Sequence, residues 1–231
     1  MTLKKIAQVL DIVRTVERPL CVFDIDSTLM NTGQRNYRIL QEAVLTYPDM
    51  GPFVAKLCHC DMGYTIMDDL RRAGYANEEV LAKMNDFWKV RFFTDEYVLY
   101  DEPYPGAADY VYDLHAAGAT IYYLSGRDEP GMGKGTRASF AKHNFPMDDR
   151  TIMHLKPRFE MDDFLFKLDA FADIKNLGRE VVAIFENEPG NANAFKEHFP
   201  KAAVFLIRTI TSKTPAPLRR DVVAFDSFKE Q

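Results

Sequence analysis

Residues 20–29 read LCVFDIDSTL, in which a short apolar run ends in two aspartates that one residue separates. The apolar run, Leu20–Phe23, is typical of a buried strand. Side chains two residues apart along a strand point to the same face, so Asp24 and Asp26 are expected to lie close together. Two close carboxylates repel each other unless a cation or a proton separates them, and oxygen ligands of this kind suit Mg²⁺. The simpler alternative is a strand that leads into a helix capped by the serine or threonine that follows.

Similar apolar runs recur along the chain and predict an α/β fold. Each is rich in β-branched or aromatic residues and is followed by a polar residue, as in a parallel sheet that is covered on both faces. Helical patterns separate most of them, for example Pro105–Ala117, which a Pro-Gly pair opens and Gly118 follows. Alternating strands and helices predict right-handed crossovers in an α/β sheet. The predicted strands are Leu20–Phe23, Ala119–Leu124, Thr151–Met153, Val181–Phe185, Ala203–Ile207 and a short one near Val222–Phe225.

One interval, between the first predicted strand and Pro105, carries helical patterns and no convincing strand. Asn36–Leu45 and Glu78–Val90 are its clearest helices. A long helical excursion directly after the first strand predicts an inserted all-helical cap over residues 30–100, with residues 1–29 and 101–231 forming the catalytic core. Gly33 and Tyr100–Pro105 connect the two parts and are the expected hinges. We expect this cap to move over the site and to select the substrate.

Two further predicted strands end in side chains that suit a phosphate or a metal. Residues 121–128 read IYYLSGRD, and the serine hydroxyl and loop N–H groups there can bind phosphate oxygens. Residues 181–191 read VVAIFENEPGN, so another buried strand delivers carboxylate and amide oxygens at its end. Each signal alone is also what an ordinary turn or helix cap would give. The carboxyl ends of parallel strands share one edge of a sheet, where α/β proteins bind ligands, so together the signals indicate one site.

In this order the motifs resemble those of the haloacid-dehalogenase superfamily. They are FDIDSTL at residues 23–29, PGAADYVYDLHAAGATIYYLSGRD at residues 105–128, a lysine, and VVAIFENEPGNAN at residues 181–193. The resemblance covers nearly the whole chain outside the predicted cap and the first helix, and its first motif is the most specific. It implies a Rossmann-like parallel sheet with the site at the carboxyl ends of the strands.

The resemblance also implies roles for single residues. Asp24 would attack phosphorus and form an aspartyl-phosphate, and Asp26 would protonate the leaving oxygen and later deprotonate water. Asp26 would also bind the metal through its backbone carbonyl. Superfamily members with an acid two residues after the nucleophile are mostly phosphatases or phosphotransferases. The implied sets are Asp24, Asp26 and Lys167 for catalysis, Ser125, Gly126 and Arg127 for substrate binding, and Asp24, Asp26, Glu186 and Asn187 for Mg²⁺.

Two of these assignments leave alternatives open. Lys167 opens the helical pattern Lys167–Leu177 before the last motif, as the superfamily lysine usually does, but Lys156 follows another predicted strand and also qualifies. Many superfamily members carry an aspartate pair in the last motif. Here the strand ends in Glu-Asn, with Asn191 further on, so the direct metal ligand among these residues stays open.

Composition narrows the class of protein. The chain has 231 residues, of which 47% are apolar and 27% charged, and a net charge of −5. This is typical of a soluble globular protein and disfavours a general nucleic-acid binder. The N-terminal stretch is typical of an amphipathic helix rather than a signal peptide, and no apolar run approaches ~18 residues. Three cysteines favour a reducing compartment without disulfides. We therefore expect a cytoplasmic protein.

Two short motifs receive ordinary interpretations. Residues 58–61, Cys-His-Cys-Asp, resemble a metal cluster, but no second Cys or His pair follows at the spacing of a zinc site. Residues 131–136, GMGKGT, resemble a phosphate loop without its spacing, so a flexible loop beside the site is expected there.

The sequence thus predicts a Mg²⁺-dependent phosphomonoester hydrolase that acts on a small phosphorylated metabolite, without nucleic-acid or membrane partners. A phosphotransferase or mutase of the same fold is one alternative. A catalytically silent protein that binds a phosphorylated ligand or a partner protein is another. Neither the substrate nor the oligomeric state follows from the residues.

Overall fold

The computed structural model describes residues 5–229, and six of its strands form one parallel sheet. The strands are β1 Pro19–Phe23, β2 Met30–Asn31, β3 Glu102–Pro103, β4 Thr120–Asp128, β5 Thr151–Lys156, β6 Glu180–Glu186, β7 Ala203–Ile207 and β8 Val223–Phe225. The sheet order is β5-β4-β1-β6-β7-β8, with every neighbouring pair parallel. The α/β parallel sheet predicted from the sequence is confirmed, and each predicted strand overlaps one of these six.

Ten α-helices accompany the strands in the described part of the chain. They are α1 Ala7–Val13, α2 Gly33–Thr46, α3 Gly51–Val54, α4 Ile66–Arg72, α5 Glu78–Phe92, α6 Asp95–Val98, α7 Ala107–Ala116, α8 Glu129–Lys142, α9 Asp163–Asn176 and α10 Pro189–His198. The predicted N-terminal amphipathic helix corresponds to α1, although its first predicted residues, 1–4, lie outside the described residues. None of the described helices combines the length and apolar character that a membrane span requires.

Both faces of the sheet are buried, which explains why its strands are continuous apolar runs rather than alternating ones. All five residues of β1 are buried. Cys21 and Phe23 belong to the cluster on one face with α1 and α7, whereas Leu20 and Val22 belong to the cluster with α9 and α10. On the first face the rings of Phe23, Phe185 and Phe205 stack across three neighbouring strands, with centroids 4.5 and 5.2 Å apart.

A helical insertion, residues 33–98, lies between β2 and β3 and has an apolar core of its own. Ile39, Leu40, Leu70 and Met84 are fully buried within it. At its base β2 and β3 pair in an antiparallel ribbon that the sequence did not predict, because two-residue strands carry no periodic signal. The helices predicted at residues 36–45 and 78–90 are α2 and α5. The division into a core and a cap domain at residues 30 and 100 stays a prediction.

The glycine-rich stretch at residues 131–136 is not a flexible loop, as the sequence had suggested, but the first half of α8. Asp128 caps this helix by accepting a hydrogen bond from the Gly131 N–H at 2.8 Å. A Cβ at Gly135 would overlap the backbone of Asp95, and the Gly135 N–H donates to the Asp95 carboxylate at 2.6 Å. Gly135 therefore allows α6, the last helix of the insertion, to pack directly on α8.

The expectation of a chain without disulfides is also wrong, because Cys58 and Cys60 are joined. The 3₁₀ turn at residues 59–61 brings their Cα atoms to 5.2 Å, which is within the range that a disulfide spans. Cys21 is free and buried in β1.

Candidate active site

The turn after β1 presents both aspartates to one cavity of about 660 Å³. β1 ends at Phe23, and the Asp24 N–H still donates to the Phe185 carbonyl of β6 at 3.0 Å. The chain then turns through Ser27, which has a left-handed φ of 59°. Asp24 and Asp26 both line this cavity, as expected, and the turn follows directly after them.

Asp24 belongs to a buried charge cluster that we call the Asp24 group: Asp24, Lys167 and Glu186. The Lys167 ammonium donates to Asp24 Oδ1 at 2.6 Å and to Glu186 Oε2 at 2.7 Å. The other oxygen of Asp24 accepts from the Thr28 hydroxyl at 2.8 Å. All three charged residues are buried. One ammonium between two carboxylates leaves the group with a formal charge of −1.

This surplus charge changes the proton affinity of the cluster. Burial, and then the charge of Glu186, raise the pKa of Asp24 to about 7 despite the opposing effect of Lys167. For Lys167, burial favours the neutral amine, but the two carboxylates outweigh it and raise the pKa above its ordinary value. The Asp24 group therefore binds either a proton or a cation favourably at neutral pH.

The oxygen atoms around Asp24 form a donor set that fits Mg²⁺. Glu186 Oε1 accepts from the backbone N–H groups of Asn187 and Glu188, at 3.0 and 3.2 Å, which orients the carboxylate. Asn187 Oδ1 lies 3.2 Å from the Thr28 hydroxyl, while its amide donates to the Ile210 carbonyl at 2.6 Å. Carboxylate and amide oxygens beside an uncompensated negative charge are the ligands that Mg²⁺ prefers.

Asp26 belongs to a second cluster, the Asp26 group: Asp26, Arg35, Asp101 and Arg127. Arg127 donates to both oxygens of Asp26, at 2.6 and 3.1 Å, and to Asp101 at 2.6 Å. Arg35, from α2 of the insertion, donates to Asp101 at 2.8 Å through Nε, makes a further contact through Nη2, and reaches Asp26 at 3.3 Å. Two guanidiniums and two carboxylates give this group no formal net charge.

The two arginines hold Asp26 in its ionised form. Burial alone would raise the pKa of Asp26, but the charges of Arg127 and Arg35 outweigh it and lower the pKa to about 2. Arg35 is also fixed by its own surroundings, since it lies over the Phe92 ring at 4.2 Å and donates to the Phe92 carbonyl at 3.1 Å. The helical insertion thus contributes directly to the surroundings of Asp26.

The structure places the two candidate lysines in different surroundings. Lys167 lies on α9, which begins at Asp163, four residues before the predicted start, and it contacts Asp24 directly. Lys156 instead donates to the carbonyls of Phe159 and Met161, at 3.0 and 2.9 Å, and to the Asp163 carboxylate at 2.6 Å. Lys156 therefore fixes the loop between β5 and α9, and the geometry favours Lys167 as the site lysine.

The residues predicted to bind phosphate lie at the same cavity. Ser125 is buried at the end of β4, and its hydroxyl oxygen accepts from the Arg127 N–H at 3.2 Å. A Cβ at Gly126 would lie 2.7 Å from the Asp163 carboxylate, so the glycine permits α9 to approach. Each nitrogen of the Arg127 guanidinium already donates within the protein, including to the Thr136 hydroxyl at 3.0 Å.

Sequence reasoning missed Arg35, Asp101 and Thr28. Thr28 could have been found, since it stands four residues after Asp24 in the same motif and the turn brings its hydroxyl back. Arg35 and Asp101 are separated by 66 positions and have no local pattern, so only the folded insertion reveals their pairing.

No protein-family model matches the chain. No curated protein matches it either. Solved structures do match over most of its length. One is a predicted phosphoglycolate phosphatase from Haemophilus somnus 129PT, at 13% identity and a TM-score of 0.57, covering 90% of this chain and 94% of that one. Another is a haloacid dehalogenase-like hydrolase from Streptococcus pneumoniae, at 11% identity and a TM-score of 0.53, covering 85% and 88%.

A third similar structure is the protein tyrosine kinase A of Mycobacterium tuberculosis, at 15% identity and a TM-score of 0.51, covering 90% and 94%. Identities this low establish the fold alone, and the activities for which these proteins are named differ. The chain has the haloacid-dehalogenase-like fold, which confirms the fold that the sequence motifs implied.

Proposed function

We propose that this protein is a Mg²⁺-dependent phosphomonoester hydrolase that acts through an aspartyl-phosphate on Asp24. The observation that carries the proposal is the Asp24 group, in which a buried lysine bridges two carboxylates at the strand ends of a phosphatase-like fold. Similar structures are described as phosphatases and hydrolases, which supports the same reaction class. Localisation in the cytoplasm and a small phosphorylated metabolite as substrate belong to the same proposal.

In this mechanism Asp24 is the nucleophile. One of its oxygens attacks phosphorus, the bond from phosphorus to the leaving oxygen breaks, and the leaving oxygen takes up a proton. Water then attacks the same phosphorus, the bond to Asp24 breaks, and inorganic phosphate is released. The Lys167 ammonium holds the Asp24 carboxylate in place and opposes the charge that collects on the phosphoryl oxygens. Ser125 is the proposed hydrogen-bond donor to those oxygens.

Asp26 is the proposed proton carrier for both steps. Here its two oxygens accept from Arg127 and it is ionised, so it must take up a proton before it can protonate the leaving oxygen, and it then recovers that proton from the attacking water. Arg35 belongs to the insertion, so a movement of the insertion would remove one donor from Asp26. The proposed motion of a cap over residues 30–100 would then affect proton transfer as well as substrate choice.

Asp24, Glu186 and Asn187, together with the Asp26 backbone carbonyl, are the proposed holders of Mg²⁺. When bound, the ion supplies positive charge that offsets the surplus on the Asp24 group and on the phosphoryl oxygens. A phosphotransferase would use the same residues and differ only in the acceptor, which would be a second hydroxyl instead of water.

Hydrolysis of 4-nitrophenyl phosphate, assayed with Mg²⁺ and with excess chelator, tests the proposal. We expect activity only with Mg²⁺, and a loss of at least about 1,000-fold in kcat for Asp24→Asn, because the amide is nearly isosteric but a poor nucleophile. The matched control is Asp86→Asn, an exposed aspartate of α5, which keeps the wild-type rate. Activity of Asp24→Asn within tenfold of wild type, or full activity in chelator, overturns the proposal.

A further inference from the structure

The cavity above Asp24 has two chemically different walls. One wall is the Asp24 group and the strand ends. The other is aromatic and comes mainly from the helical insertion. Its rings are those of Tyr64, Trp88, Phe92 and Phe93 from the insertion and Phe164 from α9.

The aromatic wall is an ordered surface and not a loose group of rings. The Trp88 ring lies 4.6 Å from Phe92 and 5.4 Å from Phe93, and Phe93 meets Phe159 edge-on at 4.9 Å. Trp88 is further fixed by a hydrogen bond from its indole N–H to Asn36 at 2.8 Å. Fixed rings of this kind offer a flat partner a stacking surface without having to be ordered on binding.

Two of these aromatic side chains remain largely open to solvent although they line the cavity. Tyr64 is 54% exposed and Phe164 is 42% exposed. The two come from different elements, the insertion and α9, so a planar group that contacts both would bury apolar area against each.

The charges along the cavity exclude a second anionic group on the substrate. Among the described residues that line it, the cationic ones are Arg127 and Lys167, and each already donates to two carboxylates of the protein. Asp162, Asp163 and Glu188, which also line the cavity, are acidic. A carboxylate or second phosphate on the leaving group would meet these acids without an unengaged cation to balance it.

We propose that the substrate's leaving group is a flat aromatic ring, neutral or cationic, that binds between Tyr64, Trp88 and Phe164. The protein would thus be selective for aromatic phosphomonoesters over aliphatic ones, and would discriminate against bisphosphates and phosphorylated carboxylic acids. This inference rests on the proposed function and adds the substrate class to it. The volume of about 660 Å³ accommodates a phosphate with one ring system attached.

Trp88 is the single tryptophan of the chain, so its fluorescence reports directly on this wall. The full-length Asp24→Asn variant with Mg²⁺ is titrated with phenyl phosphate, glycerol 3-phosphate and 2-phosphoglycolate. We expect phenyl phosphate to quench Trp88 and to bind at least about tenfold more tightly than glycerol 3-phosphate, with 2-phosphoglycolate weakest. Equal affinity for the three compounds overturns the inference.

The second experiment measures turnover by variants that keep Asp24. Tyr64→Leu and Phe164→Leu change exposed side chains, so folding is retained, and we expect each to raise KM for phenyl phosphate about tenfold while leaving glycerol 3-phosphate unchanged. Tyr112→Leu is the matched control, because Tyr112 is 58% exposed on α7 and does not line the cavity. If both substrates respond equally to Tyr64→Leu and Phe164→Leu, the inference fails.

The two experiments separate this inference from the proposed function. Selective binding of phenyl phosphate without turnover by wild type supports the aromatic site and overturns the phosphatase. Turnover that favours 2-phosphoglycolate or glycerol 3-phosphate supports the phosphatase and overturns the aromatic site.

Discussion

The Asp24 group and the Asp26 group are made from the same kinds of residue but balance their charges differently. The Asp24 group places two carboxylates against one ammonium, and the pKa of Asp24 rises to about 7. The Asp26 group places two carboxylates against two guanidiniums, and the pKa of Asp26 falls to about 2. The Asp24 group keeps a net negative charge and can bind a proton or a cation, as a catalytic site requires. The Asp26 group is neutral, and its ion pairs join the insertion to the sheet. Four predictions test this difference, from the largest expected effect to the smallest.

The largest effect is expected where the single cation of the Asp24 group is removed. Lys167→Met leaves Asp24 and Glu186 buried without a partner, and we expect kcat for 4-nitrophenyl phosphate to fall at least about 1,000-fold. Lys156→Met is the matched control, because Lys156 binds loop carbonyls and Asp163, and its kcat is expected within about tenfold of wild type. The opposite ranking of the two variants would contradict the assignment of Lys167.

The second prediction concerns a substitution that removes one positive charge from the Asp26 group and gives it the net charge of the Asp24 group. Arg35→Met leaves Asp26 and Asp101 with Arg127 alone, and we expect the free energy of unfolding to fall by about 3 kcal/mol, because a buried charge loses its partner. Urea denaturation measures this. Arg38→Met on the same helix removes a partly exposed pair with Glu42 and is expected to cost about 0.5 kcal/mol or less.

The double variant Arg35→Met/Asp101→Asn restores the neutral balance of the Asp26 group. We expect it to be more stable than Arg35→Met alone, since Arg127 then faces one carboxylate instead of two. If the two substitutions simply add, charge balance is not what stabilises the group.

The third prediction concerns the attachment of the insertion that supplies Arg35. Gly135→Ala places a Cβ against the Asp95 backbone, and we expect a loss of about 2 kcal/mol in urea denaturation. Gly190→Ala is the matched control, because a Cβ there meets nothing within 4 Å, and its effect is expected within about 0.5 kcal/mol. Equal stability of the two variants would show that α6 and α8 do not need this close approach.

The smallest effect is expected in the pH dependence of the free energy of unfolding, measured with excess chelator so that no Mg²⁺ is bound. The folded pKa of Asp24 is about 7 and its ordinary value is 3.8, so between these pH values the folded state holds a proton that the unfolded state has lost. Ionisation of Asp24 therefore costs stability as the pH rises through this window. We expect the stability of wild type to fall relative to that of Asp24→Asn as the pH rises from 5 to 8, with Tm as the measurement.

Mg²⁺ provides the control for that comparison. A bound cation balances the negative charge of the Asp24 group in wild type and so removes the loss of stability that ionised Asp24 causes. The gap between the two proteins at pH 8 is expected to shrink when Mg²⁺ replaces the chelator. A gap that stays constant from pH 5 to pH 8 in chelator would contradict the raised pKa of Asp24.

The sequence pointed to all three members of the Asp24 group but to only two of the four members of the Asp26 group, Asp26 and Arg127, for a physical reason. Asp24, Lys167 and Glu186 each stand at or near the end of a strand or in the helix before one, and parallel strands bring their carboxyl ends together whatever the intervening sequence is. Arg35 and Asp101 meet only because the insertion folds back on the turn after β1, and no local pattern records that contact.

The errors of the sequence analysis have the same origin. Residues 131–136 look like a loop because glycine lowers helix propensity, yet the stretch is helical, with Asp128 as its cap and with Gly135 allowing the close approach of Asp95. The two-residue strands of the β2–β3 ribbon were missed because their pairing depends on residues far apart in the chain. In both segments a contact between residues far apart in the chain is what the local pattern does not record.

The β2–β3 ribbon affects the conformational entropy that is lost when the insertion is closed into a loop. Asn31 and Glu102 are paired across β2 and β3, so the chain leaves the sheet and returns to it at the same place. The entropy of closing a loop grows only slowly with its length, and here the ribbon holds the two ends of the insertion together. The ribbon therefore allows the length of the insertion to vary at little entropic cost, provided that the contacts of Arg35 and of α6 with the core are kept.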